Sequence, residues 1–484
     1  MNDAFLPELL APAGNMEKLH TCLLYGADAV YLGGRTGNLR AACEGFTGQE
    51  LREAVTAAEK KQVKIYYCLN SLPLQDDMPS LPPLIEEAAK AGVHGFIIAD
   101  PGVLRLARRY APQVPVHLST QANTTNSEAV AFWAEQGVER VNLARELSAR
   151  DIYAMRRACP DMQLEVFVHG AMCLAVSGQC LLSAWLNARS GNQGRCTQPC
   201  RFEYRALGSA PACRDTSSGL LCATGQDQKS PAPSPKAAPS SSDDKLGHYL
   251  SGGECLPDAL VVEEYTRPGE PVWRVEQDDR YSSFWAPQDL CLLPWLSWFI
   301  NNRIDALKVE GRMKSAGYLA HTVDTYRTAL NAVGAPAGQE AKKTPGGYLT
   351  ELLYAATRPL GSGFFLHGRR KNLTEEFLEA SGLASRPNRS REGRLPELGH
   401  TLLAKVVAQK ALGVWQVEVH GNWRRGMDVE LMLPGLRRPV LIGGSYGLEN
   451  QRGELTDIVG NGITALLYTD MEGLENGIFL RRAS

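Results

Sequence analysis

Residues 29–33, Ala-Val-Tyr-Leu-Gly, and 64–70, Lys-Ile-Tyr-Tyr-Cys-Leu-Asn, are short apolar runs. Between them, 48–61 reads Gly-Gln-Glu-Leu-Arg-Glu-Ala-Val-Thr-Ala-Ala-Glu-Lys-Lys, with apolar residues at helical spacing. A buried strand, a polar turn, an amphipathic helix and a second buried strand make a parallel βα unit. The rhythm recurs with apolar runs at Pro7–Ala11, Gly95–Ala99, Pro115–Thr120, Arg140–Leu143, Leu164–Val168 and Ala306–Val309. Further helical windows fall at Leu81–Ala91 and Ser127–Gln136. Eight such strands predict a (β/α)8 TIM-like barrel over residues 1–332 rather than an open doubly wound sheet. No G-x-G-x-x-G follows the first strand, which argues against a dinucleotide fold.

The eighth strand comes late because of an insertion at 206–253, rich in Ser, Pro and Ala. With so few large apolar residues it cannot repay its ordering entropy, so a disordered loop is expected. Residues 333–397 form a connecting segment with a helical piece near Thr374–Ser381. From 398 to 484 alternating runs broken by glycine predict a small C-terminal all-β domain, expected to be a compact β-barrel. Its Arg424–Arg425 and Arg437–Arg438 pairs, near Trp415 and Trp423, read either as an RNA-facing patch or as a solvated rim with core tryptophans.

The chain has 484 residues, 51 Lys+Arg and 53 Asp+Glu, a formal net charge of −2. Hydrophobic residues make up 44% and charged residues 21%, which excludes wholesale disorder and fibrous repeats. The apolar stretch around Leu290–Ile300 is shorter than a membrane span, and the N-terminus lacks a signal-peptide pattern. A cytoplasmic protein is expected. Near-neutral charge supplies no general attraction to nucleic acid, so any RNA contact must come from local basic patches.

Of the 12 cysteines, Cys22, Cys43, Cys68, Cys159 and Cys291 sit among apolar residues and read as small core hydrophobes. Cys173, Cys180, Cys196 and Cys200 are crowded into one segment. Clustered thiols point to soft-metal ligation, iron–sulfur or zinc. The irregular spacings, six and then three intervening residues, suit a 4Fe-4S cluster better than a zinc knuckle, with zinc or no metal as alternatives.

Barrel active sites lie at the C-terminal ends of the strands, and residues two apart on a strand share a face. That places Glu165, Phe167 and His169 together on strand seven, Lys308, Glu310 and Arg312 on strand eight, and His117, Ser119 and Gln121 on strand five. The charged trio on strand eight reads as a self-satisfied ion network or as a substrate site. Tyr318, Tyr326 and Arg327, on the following helix, read as core or rim.

The stretches Leu-Leu-Ala-Pro-Ala-Gly-Asn (9–15), Gly-Ala-Asp-Ala-Val-Tyr-Leu-Gly (26–33), Glu-Val-Phe-Val-His-Gly-Ala-Met-Cys with a second Cys seven residues on (165–180), and Lys-Val-Glu-Gly-Arg (308–312) resemble peptidase family U32, the collagenase-like group. The likeness runs in order through residues 6–330, and the terminal β domain is similar to the family's C-terminal domain. The resemblance implies an iron–sulfur protein of oxygen-independent hydroxylation, with Cys173, Cys180, Cys196 and Cys200 as cluster ligands. Branches of the family act on the wobble uridine of tRNA with prephenate required, on a ribosomal RNA cytidine, and on a ubiquinone precursor. Close spacing of the third and fourth cysteines and the extra β domain resemble the tRNA branch.

On that footing Glu165, His169, Lys308 and Glu310 are the catalytic candidates. Arg201 and Arg312, with Lys308, are candidates for binding a small dicarboxylate such as prephenate, since guanidinium pairs with carboxylate. Two other readings stand beside this one. One is the peptidase of the family name, although H-E-x-x-H and G-x-S-x-G are missing. The other is a non-catalytic RNA-binding scaffold.

Overall fold

The structure is a computed structural model and describes residues 5–39, 45–173, 175–187, 189–201, 204–209, 260–264, 272–275, 288–335, 345–366, 373–374, 376 and 402–483. Most of the 206–253 insertion, most of the expected Thr374–Ser381 helix and the side chain of Arg201 lie outside the described residues.

The first strands are β1 (Glu8–Pro12), β2 (Ala29–Leu32), β3 (Lys64–Leu69), β4 (Gly95–Ile98), β5 (Val116–Leu118), β6 (Arg140–Asn142) and β7 (Gln163–Ala171). Alternating with them are α1 (Met16–Leu24), α2 (Gly48–Glu59), α3 (Leu81–Lys90), α4 (Pro101–Tyr110), α5 (Ser127–Glu135) and α6 (Ala149–Ala158). A short α7 (Leu182–Asn187) lies in the cysteine-bearing loop.

Residues Cys200–Trp285 form a separate compact unit. Its described part is an antiparallel sheet of β8 (Tyr204–Ser209), β9 (Leu260–Glu264) and β10 (Val272–Val275). Residues 206–209, expected to open the disordered insertion, are therefore strand: Ala206 pairs with Val262 and Ser209 with Leu260. The apolar partners Leu260 and Val262 stand beyond the low-complexity stretch, too far along the chain for a local reading to connect them.

The first unit resumes with β11 (Asp289–Cys291), α8 (Leu296–Asn301), β12 (Ala306–Val309), α9 (Ala316–Gly334), α10 (Pro345–Ala355) and β13 (Leu360–Gly361). β1 to β7 pair in succession, each parallel to the next, and β12 pairs in parallel with both β7 and β1. This closes the eight-stranded barrel. β11 adds antiparallel to the far end of β7, with Cys291 opposite His169.

Local chemistry explains the elements. Thr47 and Glu50 form a capping box at α2, and Leu51, Ala54, Val55 and Ala58 bury one helical face. Ser148 and Asp151 cap α6 in the same way. Asn15 caps α1 through the amide of Lys18, immediately after Gly14. A Cβ on Gly14 would lie 2.4 Å from the Arg312 carbonyl oxygen, so this turn can pack against the end of β12 only as glycine.

The C-terminal strands are β14 (Leu402–Ala411), β15 (Val414–Val419), β16 (Trp423–Arg424), β17 (Val429–Met432), β18 (Val440–Leu441), β19 (Gly447–Glu449), β20 (Ile458–Val459), β21 (Thr464–Tyr468) and β22 (Phe479–Arg482). Seven form an antiparallel sheet in the order β18-β17-β22-β14-β15-β21-β19, and β16 pairs with β20. The sheet order is open among the described residues, where the sequence reading expects a small closed barrel. Trp423 is fully buried and donates to the Tyr446 hydroxyl at 2.9 Å. Trp415 is also in this core. The two tryptophans are packing residues, not an RNA-stacking surface.

A buried ion network ties this sheet to the barrel. Asp324 of α9 accepts from Arg438 at 2.9 Å and from the Gly435 amide at 2.6 Å. Glu351 of α10 accepts from Arg481 at 2.9 Å, and the Tyr25 hydroxyl donates to the Met432 carbonyl at 2.7 Å. Arg438 is thus a structural clasp, not part of a basic RNA patch. Asp324→Ala removes the nearest carboxylate from the Arg438 guanidinium, which keeps Glu351 at 3.4 Å, and leaves the Gly435 and Leu436 amides without their acceptor, with an expected cost of about 2–4 kcal/mol. Urea unfolding monitored by tryptophan fluorescence checks it; a loss of under about 0.5 kcal/mol, as at an ordinary surface site, contradicts it.

Candidate active site at the mouth of the barrel

Inside the barrel the charged residues form a chain. Lys308 donates to Glu165 at 2.8 Å, and both side chains are almost wholly buried. Arg140 lies 3.6 Å from the other Glu165 oxygen and donates to Glu8 at 2.6 Å. Lys64 extends the chain to solvent, 3.3 Å from Glu8. Burial alone would raise the Glu8 carboxyl, but Arg140, Lys64 and the Tyr66 hydroxyl outweigh it and hold the group below the usual carboxylate range. The Lys308 ammonium also sits 4.5 Å from the centre of the Tyr31 ring. Glu8 and Arg140 both fall inside the apolar runs at Pro7–Ala11 and Arg140–Leu143. A charged residue inside a buried apolar run needs a buried partner, and that is the sequence signal both residues carry.

The expected grouping of Glu165, Phe167 and His169 on one face is not what the structure has. Lys308 pairs with Phe167 but Val309 pairs with His169, so Val168 is an extra residue in β7. This bulge breaks the two-residue alternation. Glu165 meets Lys308, whereas His169 packs against Tyr318 and Tyr326 of α9, at ring separations of 5.9 and 5.5 Å. Burial pushes the His169 imidazole down to about 3, with the Lys314 charge adding to the effect. His169 is thus a neutral wall residue on the helix side of β7.

Glu310 and Arg312 follow β12 at the mouth. Glu310 accepts from the Ala171 amide at 3.4 Å. Gly170, at φ +109°, lets β7 pass close to it, because a Cβ there would lie 2.7 Å from the Glu310 Cβ. Arg312 donates to Asn38 at 3.0 Å and lies 5.7 Å from the Tyr31 ring centre. Sequence reasoning missed Arg145, which follows β6. It donates to the Ala171 carbonyl at 2.5 Å, stacks 3.9 Å over Phe167, and keeps a buried Nε with no acceptor. Burial raises the Tyr31 hydroxyl well above its ordinary value, Glu310 adds to this, and Arg312 and Arg145 both oppose it. Tyr31 thus stands within the fields of both arginines.

The loop after β7 is fastened across this mouth. Gln121 donates to the Gly178 carbonyl at 3.3 Å, and Gln179 to the Gln121 carbonyl at 2.7 Å. Glu146 accepts from the Ser177 amide at 2.8 Å, and the Leu72 amide donates to the Asn192 carbonyl at 2.9 Å. Within the loop, the Asn192 side chain accepts from the Cys180 amide at 3.2 Å. A Cβ on Gly191 would lie 3.5 Å from the Cys196 Cβ and 3.6 Å from the Cys180 carbonyl oxygen. The Cys180 thiol accepts from the Leu182 amide at 3.4 Å, and Cys196 from the Gln198 amide at 3.3 Å. A Cβ on Gly178 would lie 3.5 Å from the Cys173 sulfur.

No group of three or more His, Cys, Asp or Glu side chains among the described residues is placed to hold one shared metal ion. A cubane asks less of the thiols, because each binds a different iron, and amides aimed at the sulfurs are the second-sphere contacts such a cluster uses. Cys200, four residues beyond Cys196, belongs to the other compact unit.

Three imidazoles give the molecule a pH dependence. Burial lowers His117 well below its ordinary value, with Arg140 adding to it. His169 lies at about 3 and His321 at about 4, burial dominating in both. Each takes up a proton on unfolding once the pH is below about 6.5. Their contribution is therefore complete above that pH and drains away toward the folded values. The stability measured by urea titration should be flat above pH 7. It should fall below about 6.5, approaching about 1.4 kcal/mol per pH unit for each imidazole. Unchanged stability from pH 7 to 5 contradicts this.

A closed parallel barrel, with buried charges in its interior and a thiol-bearing loop strapped over the C-terminal ends of its strands, is the architecture of a barrel enzyme with its site at the mouth. The chain belongs to peptidase family U32, whose profile matches residues 14–375. It is 36% identical over 360 residues to tRNA hydroxylation protein P1 of Bacillus subtilis (strain 168), covering 74% of this chain and 71% of that one. To tRNA hydroxylation protein P of Escherichia coli (strain K12) it is 34% identical over 334 residues, 69% of this chain and 70% of the other. A 23S rRNA 5-hydroxycytidine synthase of E. coli matches at 36% over 197 residues, 41% of this chain and 29% of that protein. No helix among the described residues is long and apolar enough to cross a membrane.

Proposed function

We propose that this chain is an RNA hydroxylation enzyme that acts on the wobble uridine of tRNA without molecular oxygen, with prephenate as co-substrate. The observation that carries the reading is the 34–36% identity to tRNA hydroxylation proteins over about seven-tenths of both chains. In this reading Cys173, Cys180 and Cys196 hold a 4Fe-4S cluster with Cys200 as the fourth ligand by sequence spacing. The soft donor set and the amides directed at the Cys180 and Cys196 sulfurs support it. When bound, the cluster supplies one-electron redox chemistry at the mouth.

The remaining residues divide by reach. Arg312 and Arg145 are the carboxylate partners for prephenate. Arg145 adds an unpartnered buried Nε to a guanidinium already oriented by Ala171 and Phe167. Proton transfer is assigned to Glu310, the carboxylate at the mouth that accepts from the Ala171 amide. Glu165 and Lys308 neutralise each other inside the barrel and act by positioning β7 and β12.

The peptidase reading has less to work with. The Cys and His paired across β7 and β11, Cys291 and His169, are sealed in the core. Burial pushes that thiol up to about 11 and the imidazole down to about 3, so no thiolate–imidazolium pair forms.

Nucleoside mass spectrometry of tRNA from a deletion strain with no parallel hydroxylation route tests the proposal. 5-Hydroxyuridine and nucleosides derived from it should disappear and return on expression of this chain. Unchanged tRNA overturns it.

A further inference from the structure

Two cavities open beside the cysteine loop, and their linings differ in a way that suits the two halves of a nucleotide. The first, of about 330 Å³, lies at the C-terminal ends of β3, β4 and β5. The amides of Asn70, Gln121, Gln179 and Asn192 line it, with Trp133 and Asp100. Asp100 already accepts the Gly102 and Val103 amides at the start of α4, at 2.8 and 3.0 Å. Among the described residues no lysine or arginine lines this cavity. An anion seated there meets the Asp100 carboxylate, so the described lining suits a neutral polar ligand better than a phosphate or a dicarboxylate.

The second cavity, of about 520 Å³, shares Ser71 and Leu72 with the first and is lined by Arg35, Arg189 and Arg195. All three arginines are exposed. Asp77, the acidic residue among them, is engaged as acceptor for the Leu74 amide at 2.8 Å. Arg189 and Arg195 stand in the loop between Cys180 and Cys196, so the same segment that carries the thiols also carries the positive charge.

We infer that the amide-lined cavity receives a single pyrimidine base turned out of an RNA strand, and that the arginine cleft holds the phosphodiesters flanking it. This rests on the reading that RNA is the substrate, and it names where the strand lies. The internal hydrogen bonds engage the Asn192 Oδ1, the Gln121 and Gln179 side-chain Nε2 groups and the Gln121 backbone carbonyl, leaving the Asn192 Nδ2 and the side-chain Oε1 atoms of Gln121 and Gln179 for a ligand. Those are the donor and acceptors that the O4 and N3–H edge of uracil needs. Trp133 supplies an aromatic wall, the other half of single-strand base recognition. At about 330 Å³ the cavity is at the small end of ligand sites, the size for one base. Its wall residues Gln179 and Asn192 touch the cysteine loop directly, since Gln179 adjoins Cys180 and Asn192 accepts the Cys180 amide. A base seated there is delivered to the thiol-bearing segment.

The test is fluorescence anisotropy of the full chain with an anticodon stem–loop RNA bearing uridine at the wobble position, and with the same RNA made abasic there. Wild type should bind the abasic RNA about tenfold more weakly, the order expected for one stacked base. Trp133→Ala should erase that difference, and so should Gln179→Ala, whose side chain is exposed and whose loss spares the fold. The double variant Arg189→Ala, Arg195→Ala should weaken both RNAs alike and lower the salt slope by about two. A wild type that binds both RNAs equally, or cavity variants that keep full discrimination, overturn the base assignment while RNA remains the substrate. Unchanged binding and salt slope in the arginine variant overturn the phosphate assignment. A wild type that binds neither RNA overturns the RNA reading itself.

Discussion

Glu165→Leu is expected to destabilise the protein by about 3–5 kcal/mol, the cost of removing one partner from a buried ion pair. The reason lies in what remains. Lys308, with its side chain 4% exposed, loses its 2.8 Å partner. Arg140 keeps Glu8 as its carboxylate partner and the neutral Gln163 side chain as a second acceptor. Combining Glu165→Leu with Lys308→Met removes both charges and should recover much of the loss, giving a coupling energy of about 2 kcal/mol or more. Urea unfolding of the single and double variants measures it. The double variant also decides the role of the pair, because retained hydroxylation marks it as structural. Additive losses in stability contradict the ion-pair account, and a stable but inactive double variant restores the catalytic assignment.

Cys196→Ala is expected to reduce hydroxylation to background while the barrel stays folded. Cys196 is half-buried in a loop, and its sulfur accepts only from the Gln198 amide among the contacts the structure gives it. Little packing is therefore lost, and urea unfolding should shift by less than about 1 kcal/mol. Cys159→Ala is the control, since Cys159 contacts the Ser127 carbonyl on the outer helices, away from the mouth. Nucleosides from a deletion strain expressing each variant separate the two. Full activity of Cys196→Ala contradicts the assignment of this cysteine.

The barrel was legible in the sequence because buried parallel strands are near-continuous apolar runs and the helices between them keep a 3.6-residue stripe. Ala306–Val309 was bounded to the residue, and the other seven runs to within a few. What the sequence could not show was where alternation fails. The extra residue Val168 sends His169 to the helix side of β7, and a bulge is set by its partner strand, not by local composition. The C-terminal domain shows the same limit. Strands such as Trp423–Arg424 and Ile458–Val459 are two residues long, too short to carry a period. Arg145 and Arg140 were missed because each follows or opens an apolar run and looks like ordinary punctuation. Their importance comes from Ala171, Phe167, Glu8 and Glu165, at least 20 residues away in sequence. The four clustered cysteines were conspicuous by spacing alone.

Iron and acid-labile sulfide analysis of the full chain purified without oxygen tests whether the loop over the barrel mouth holds a redox metal centre. About four iron and four sulfide per chain, lost in Cys196→Ala, is the predicted result. Zinc in their place, or no metal at all, contradicts it.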